Sequence, residues 1–367
     1  MDTIKIVIRK DTYSKISDLS FFLFLIFLFF NLYNAKDGFS YDYQFYLSYL
    51  EQISVLEPRE IFSLTTGPYV FLKLSSGIEF GFVFLTKILS YFFTVPHYLY
   101  FMLVLISISM KYYVFRKMNV GILWVIPILL LSFILLEGNA LRSALALSFY
   151  LFGVFYYNQR KLLLGTLYFL LSVCFHLQAL FFILTYYSVF TYFRYFNCNR
   201  RTVFILFTGI FFSGGILSFV VGSLGFEKLD FYSQSKSGSN GINLISVLSI
   251  ISLFVYLVCL LSRRISLRYN ELLLLCSSIP ALSIYVFVTN VAVLGDRLWQ
   301  WGIILMYASM FARFSERRFF INMGTVKLSS VFPFVLLAVF LINIILRYPL
   351  TNIFQFILGY YDYSVGF

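Results

Sequence analysis

The sequence predicts an all-α, polytopic membrane protein of about 11 transmembrane helices, with one further short helix that is interfacial or re-entrant. Three observations carry that reading. Of the 367 residues, 60% are hydrophobic and only 12% charged, whereas a soluble domain averages about 45–50% apolar and about 25% charged. Apolar runs recur from end to end, each near the roughly 20 residues that span a bilayer. The basic residues gather in short loops between those runs, as cytoplasmic loops do. The net charge of +12, from 28 Lys and Arg against 16 Asp and Glu, therefore reflects topology and anionic lipid rather than nucleic acid. The chain reads as a single integral membrane domain over residues 1–367, with membrane lipid around it.

Taken in order, Lys5, Arg9, Lys10 and Lys15 place the N-terminus in the cytoplasm. The apolar run 19–32 has no small-residue cleavage site behind it, so it is an uncleaved anchor. Residues 35–79 are polar and Tyr-rich, hold Asp37, Asp42, Glu51, Glu57 and Glu60, and are expected outside. Asp42, Tyr46 and Tyr49 fall at i, i+4 and i+7, one face of a helix. The run 80–93 is short and carries Lys87. If it crossed as well as the clear span 98–115, Arg116 and Lys117 would face outward and every later basic loop would be inverted. Residues 80–93 are thus the interfacial or re-entrant helix.

Further spans follow at 121–136 and 145–157, and two more bracket His176. Next come 203–221, one returning to Arg263, Arg264 and Arg268, one through Pro280, one returning to Arg313, Arg317 and Arg318, and a last at 330–346. The external segments are then about 34–97, 137–142, 222–243 and 290–297. Chemistry belongs on that outer face, because the cytoplasmic loops are short and basic.

The stretch 137–176 is the focus. Arg142 sits among apolar neighbours where one helix opens, and His176 ends the next. Such groups are expensive at these depths and usually have a task. A guanidinium near a helix N-terminus adds a bidentate cation to amides that already favour an anion, a good site for phosphate or pyrophosphate. The alternative is an Arg snorkelling to the outer headgroups. His176 reads as a general base or a donor to a phosphate or sugar hydroxyl, or else as a hydrogen-bonding partner for a neighbouring helix. Asp296 and Arg297 repeat the Arg142 arrangement, a Gly-containing turn followed by an Arg opening an apolar helix. Glu137 is an acid within reach of pairing with one of these cations. Asp42 with Tyr43 and Tyr46 offers a carboxylate and aromatic platforms for sugar; a solvated loop helix is the other reading.

Cys174, Cys198, Cys259 and Cys276 have neither metal-ligand nor CxxC spacing. No Walker loop, GxSxG elbow, HExxH or DxD occurs. These features speak against ATP-driven transport and metal-dependent chemistry, and no cofactor is expected.

Asp42-Tyr43-x-x-Tyr46, Glu79-Phe80-Gly81-Phe82, Asn139-x-x-Arg142-x-x-x-Ala146, Ser172-x-x-x-His176 and Asp296-Arg297-Leu298 together resemble EpsG-like, Wzy-type polysaccharide polymerases. The likeness follows most of the chain in order. It departs where the family commonly has Glu-Pro-Gly-Phe and this chain has Glu79-Phe80-Gly81-Phe82, and where Leu141 and Ser143 flank the Arg. The resemblance implies a GT-C-like glycosyltransferase at the outer face of the bacterial inner membrane. Such an enzyme moves a glycan from undecaprenyl pyrophosphate onto the next lipid-linked repeat unit, for O-antigen or capsule, and a chain-length-determinant protein is a partner it admits. Arg142 and Arg297 would clamp the pyrophosphate and His176 or Asp42 would activate the acceptor hydroxyl. Asn139, Tyr46, Asp296 and Glu137 would bind substrate. An O-antigen ligase shares the donor and is the nearest alternative. A flippase would favour inverted repeats and mid-membrane charges, and no repeat is evident.

Overall fold

The computed structural model describes residues 10–33, 42–57, 59, 79–118, 120, 122–195 and 292–315, with isolated positions between 208 and 281. Among the described residues there are helices and turns but no strand. The expectations for 222–243 and 330–346 lie outside them, as does most of what is expected between 203 and 291. The helices are α1 (Lys10–Tyr33), α2 (Tyr43–Val55), α3 (Phe80–Ser90), α4 (Pro96–Lys117) and α5 (Ile122–Ser132), which runs on into a π-helical turn, Phe133–Glu137. Then come α6 (Leu141–Asn158), α7 (Leu162–Phe175), α8 (Gln178–Tyr195) and α9 (Ala292–Ser315). The chain divides into two compact units, one of residues 8–118, 125–180 and 349–367, the other of 1–7, 119–124 and 181–348.

In the first unit α4 is the hub, packing on α1, α2, α3 and α6. Pro96 opens it, where a missing amide is harmless, and Arg116 and Lys117 close its last turn, favourably placed against the helix dipole. Its 22 residues extend about 33 Å. Among the described helices it is the one long and apolar enough to cross a membrane, and it covers the expected span 98–115. The remaining apolar helices are shorter, including Asp18–Phe30 within α1, Val125–Glu137 and α7. The described residues thus supply one full-length crossing helix, where the sequence leads one to expect a series. The reason is local: Pro127 interrupts the amide ladder of α5, whose end widens into the π turn, and α7 stops after 14 residues. Helix α3, at 11 residues, is about 16 Å long, half the hydrocarbon thickness.

Helices α6 and α7 form an antiparallel hairpin. Arg160 turns the corner in the left-handed region, φ 63°, and the Lys161 amide closes it onto the Tyr156 carbonyl at 3.0 Å. Gly153 lets the helices meet: a Cβ there would lie 2.4 Å from the Phe169 ring. The Ser172 hydroxyl donates across to the Ala146 carbonyl at 2.6 Å, the small-residue and hydroxyl contact of membrane helix pairs. Outward, α1 shows Leu19, Phe22, Leu23 and Phe30 and α7 shows Leu163, Leu167 and Leu170, all exposed.

In the second unit, α9 is buried almost all round from Leu298 to Ala308. The Trp301 ring packs on Phe182 of α8 at 4.8 Å.

Candidate functional site

The site forms where four helix ends of the first unit meet. Helix α2 buries Tyr43, Tyr46, Leu50 and Ile53, a stripe at helical spacing that packs on α3 and α4. Tyr43 belongs to this face because its ring seats edge-on against Tyr100 of α4 at 5.0 Å, whereas Asp42 and Tyr49 are part-exposed. Tyr46 stays on the buried face, beside Phe82 and Tyr100.

Helix α6 starts at Leu141 behind Ala140, which has no side-chain oxygen to cap the first amides. The Tyr46 hydroxyl supplies one instead, accepting from the Arg142 amide at 3.4 Å. Arg142 therefore stands in the first turn of α6, at the positive end of the dipole, where a cation is disfavoured. Glu79 compensates: its Oε2 accepts from Arg142 Nη1 at 2.7 Å. Burial works against a charge at this position, but the Tyr46 phenol and the Glu79 carboxylate outweigh it. The guanidinium pKa consequently lies above its ordinary value.

Glu79 immediately precedes α3 with extended backbone, and its carboxylate makes no cap to that helix. Its other oxygen, Oε1, lies 3.5 Å from His176 Nδ1. His176 ends α7 in extended conformation, and Nδ1 accepts from the Gln178 amide at 3.3 Å. Nδ1 thus faces both the Gln178 amide and the Glu79 carboxylate. Arg142, Glu79 and His176 are 13%, 21% and 15% exposed, mostly covered but open to solvent.

Gly81 holds α3 against α7. A Cβ at this position would lie 2.8 Å from the Cys174 carbonyl oxygen and 2.9 Å from the Phe175 ring. Backbone cannot give way as a flexible side chain can. Gly81→Ala is expected to force α3 off α7, displacing Glu79 from His176, and to lower the thermal midpoint in detergent by a few degrees. An unchanged midpoint would show that the close seat is dispensable.

The structure thus brings Tyr46, Arg142 and His176 together. Asp42 stands one helical turn before Tyr46, next to the start of α2, its carbonyl accepting from the Tyr46 amide at 2.9 Å. Asn139 turns inward and donates to the Ile134 carbonyl at 2.7 Å, closing the π turn. Glu137, expected on an external turn and facing substrate, is fully buried. It pairs with Lys111 at 2.5 Å rather than with Arg142. Arg297 is half-buried near the start of α9, in the second unit; Asp296 precedes it on the same helix.

Two residues escaped the sequence reading. Glu79 was legible only as part of a motif; the signal was that an outer Arg next to apolar helix needs an acid. Lys111 lies inside the one clear span, with Ser107 a turn earlier, and a charge at such depth is itself the signal.

Comparison with protein families matches residues 15–363 to the EpsG family. The chain belongs to the EpsG family. EpsG proteins are a Wzy-like polysaccharide polymerase family, membrane-associated and linked to glycosyltransferase-like activity. The match takes in every helix of the site, including all of α2, α3, α6 and α7. No match is found among curated proteins or solved structures. Membership of the EpsG family accounts for a helical chain of this composition with a polysaccharide polymerase-type function, and implies a lipid-linked oligosaccharide as substrate.

Proposed function

We propose that this EpsG-family chain joins undecaprenyl-pyrophosphate-linked oligosaccharide repeat units into surface polysaccharide, O-antigen or capsule, at the outer face of the inner membrane. The supporting observation is the Glu79 carboxylate holding Arg142 and flanking His176, a cation and an imidazole on one carboxylate, mostly covered but open to solvent. In the reaction, a hydroxyl of the acceptor unit attacks the anomeric carbon of the donor glycan. The carbon–oxygen bond to pyrophosphate breaks, its electron pair leaves with undecaprenyl pyrophosphate, and the hydroxyl proton passes to a base. Arg142 neutralises the charge that develops on the leaving group, which a preorganised cation does without a metal. Arg297, in the other unit, is by its residue type a further candidate for the pyrophosphate, and Asp296 beside it for substrate. His176 or Asp42 takes the proton, and the Glu79 carboxylate beside the His176 ring offsets the charge that the ring would gain. Tyr46 serves the substrate through Arg142, whose amide its hydroxyl holds. Asn139, on the turn before Arg142, is a further substrate contact, whereas Glu137 is spent on Lys111.

The reading is of a multi-pass, GT-C-like protein of about 11 spans with a cytoplasmic N-terminus. The exposed Leu and Phe side chains of α1 and α7 suit lipid rather than water. A chain-length-determinant protein is the partner such a polymerase takes. The test is a gel profile of surface polysaccharide from a strain lacking the gene. Loss of the ladder, with single repeat units still delivered, is the expected result. Polymer stranded on the carrier lipid would make the chain a ligase, and an unchanged ladder would make it neither.

A further inference from the structure

We infer that Glu79 is a built-in rival of the substrate's pyrophosphate: its carboxylate occupies Arg142 in the empty site and is displaced when the lipid-linked anion binds. The inference rests on the polymerase reading for the identity of the anion, and on geometry for the rest. Glu79 Oε2 lies 2.7 Å from Arg142 Nη1, so it fills the place an anionic oxygen would take in a charge-assisted contact. Both side chains are largely covered, at 21% and 13% exposed. Water therefore screens poorly between a resident carboxylate and an arriving pyrophosphate, and two anions on one guanidinium repel.

Displacement has a ready path. Glu79 immediately precedes α3 but its side chain caps no amide there, so swinging away breaks no helix cap. Its second oxygen is already 3.5 Å from His176 Nδ1. A carboxylate released from Arg142 therefore still has a neighbour in the His176 ring. The contact also serves the empty state, because a mostly buried guanidinium without an anion is strongly disfavoured. Glu79 is thus a specificity element: an anion that cannot outbid a carboxylate for Arg142 does not open the site.

The experiment is a titration of the purified full-length chain, in lipid nanodiscs, with inorganic pyrophosphate. Glu79→Gln keeps the shape and removes the charge, and is expected to bind about tenfold tighter than wild type, within the usual span of coupling between two ligands of one site. Glu79→Ala, a second variant in case the first folds poorly, is expected to tighten binding likewise. Arg142→Met is expected to bind no pyrophosphate. Equal or weaker binding by both folded Glu79 variants, or no binding by any form, overturns the inference. Failure of the polymerase reading shows separately, as a polysaccharide ladder that persists without the gene while the pyrophosphate titrations still rank as expected.

Discussion

Arg142→Ala is expected to abolish polymer while the protein remains at its normal level in the membrane. The guanidinium is held in the first turn of α6 by Glu79 at 2.7 Å, with Tyr46 on the same residue's amide at 3.4 Å. Removing one preorganised donor to a developing charge typically lowers turnover about 10²–10³-fold, and a polymer needs many turnovers. Arg142→Lys is expected to restore little, since an ammonium cannot reproduce the planar fork that grips a phosphate. Ladders from strains carrying each variant, alongside a blot for protein level, make the measurement. A full-length ladder from Arg142→Ala would end the assignment of this residue as the leaving-group clamp.

The second large effect concerns stability. Lys111 and Glu137 are completely buried, 2.5 Å apart. Lys111 also donates to Ser107 at 3.2 Å and to Ser132 at 2.9 Å, which uses all three ammonium protons. Glu137 accepts further from Ser107 and Ser132, each at 2.9 Å. The network is closed. Removing one partner leaves an uncompensated buried charge, worth about 3–5 kcal/mol. Lys111→Met or Glu137→Leu alone is expected to lower the thermal midpoint in detergent by roughly 5–10 °C. The double variant is expected to recover much of the loss, because two apolar residues replace a pair that has already given up its hydration. Single variants as stable as wild type would mean that the pair is not buried in the folded protein.

What could be read from the sequence follows from where its physics is local. Apolar run length and loop charge announce helices, so α1, α4 and α6 lie close to the expected spans. His176 at the end of α7 and Arg142 at the start of α6 were readable because a charged or imidazole group stands out against apolar neighbours. The partners of these groups were not readable. Glu79 is 63 residues from Arg142, and tertiary packing such as the tight seat of Gly81 on Cys174 and Phe175 brings α3 to α7. Glu137 looked like an outer-face acid because it borders a turn. Its true partner lies a helix away, inside what had the composition of plain membrane span. Which residues of α2 face inward was not readable either: ring packing on Tyr100 helps to bury Tyr43, and periodicity alone has no knowledge of that neighbour.

The closed network around Lys111 has a consequence for how the chain is made. Translation delivers Lys111 26 residues before Glu137, and Ser132 only five residues before that acid. An α4 that emerges from the ribosome therefore carries a lysine whose counter-charge, 26 residues behind, has not yet emerged. Arg142 is in the opposite situation, since Tyr46 and Glu79 both precede it. The order of residues along the chain thus makes α4 the segment that cannot settle until residue 137 has left the ribosome, whereas the cation of the site arrives at a partner already waiting.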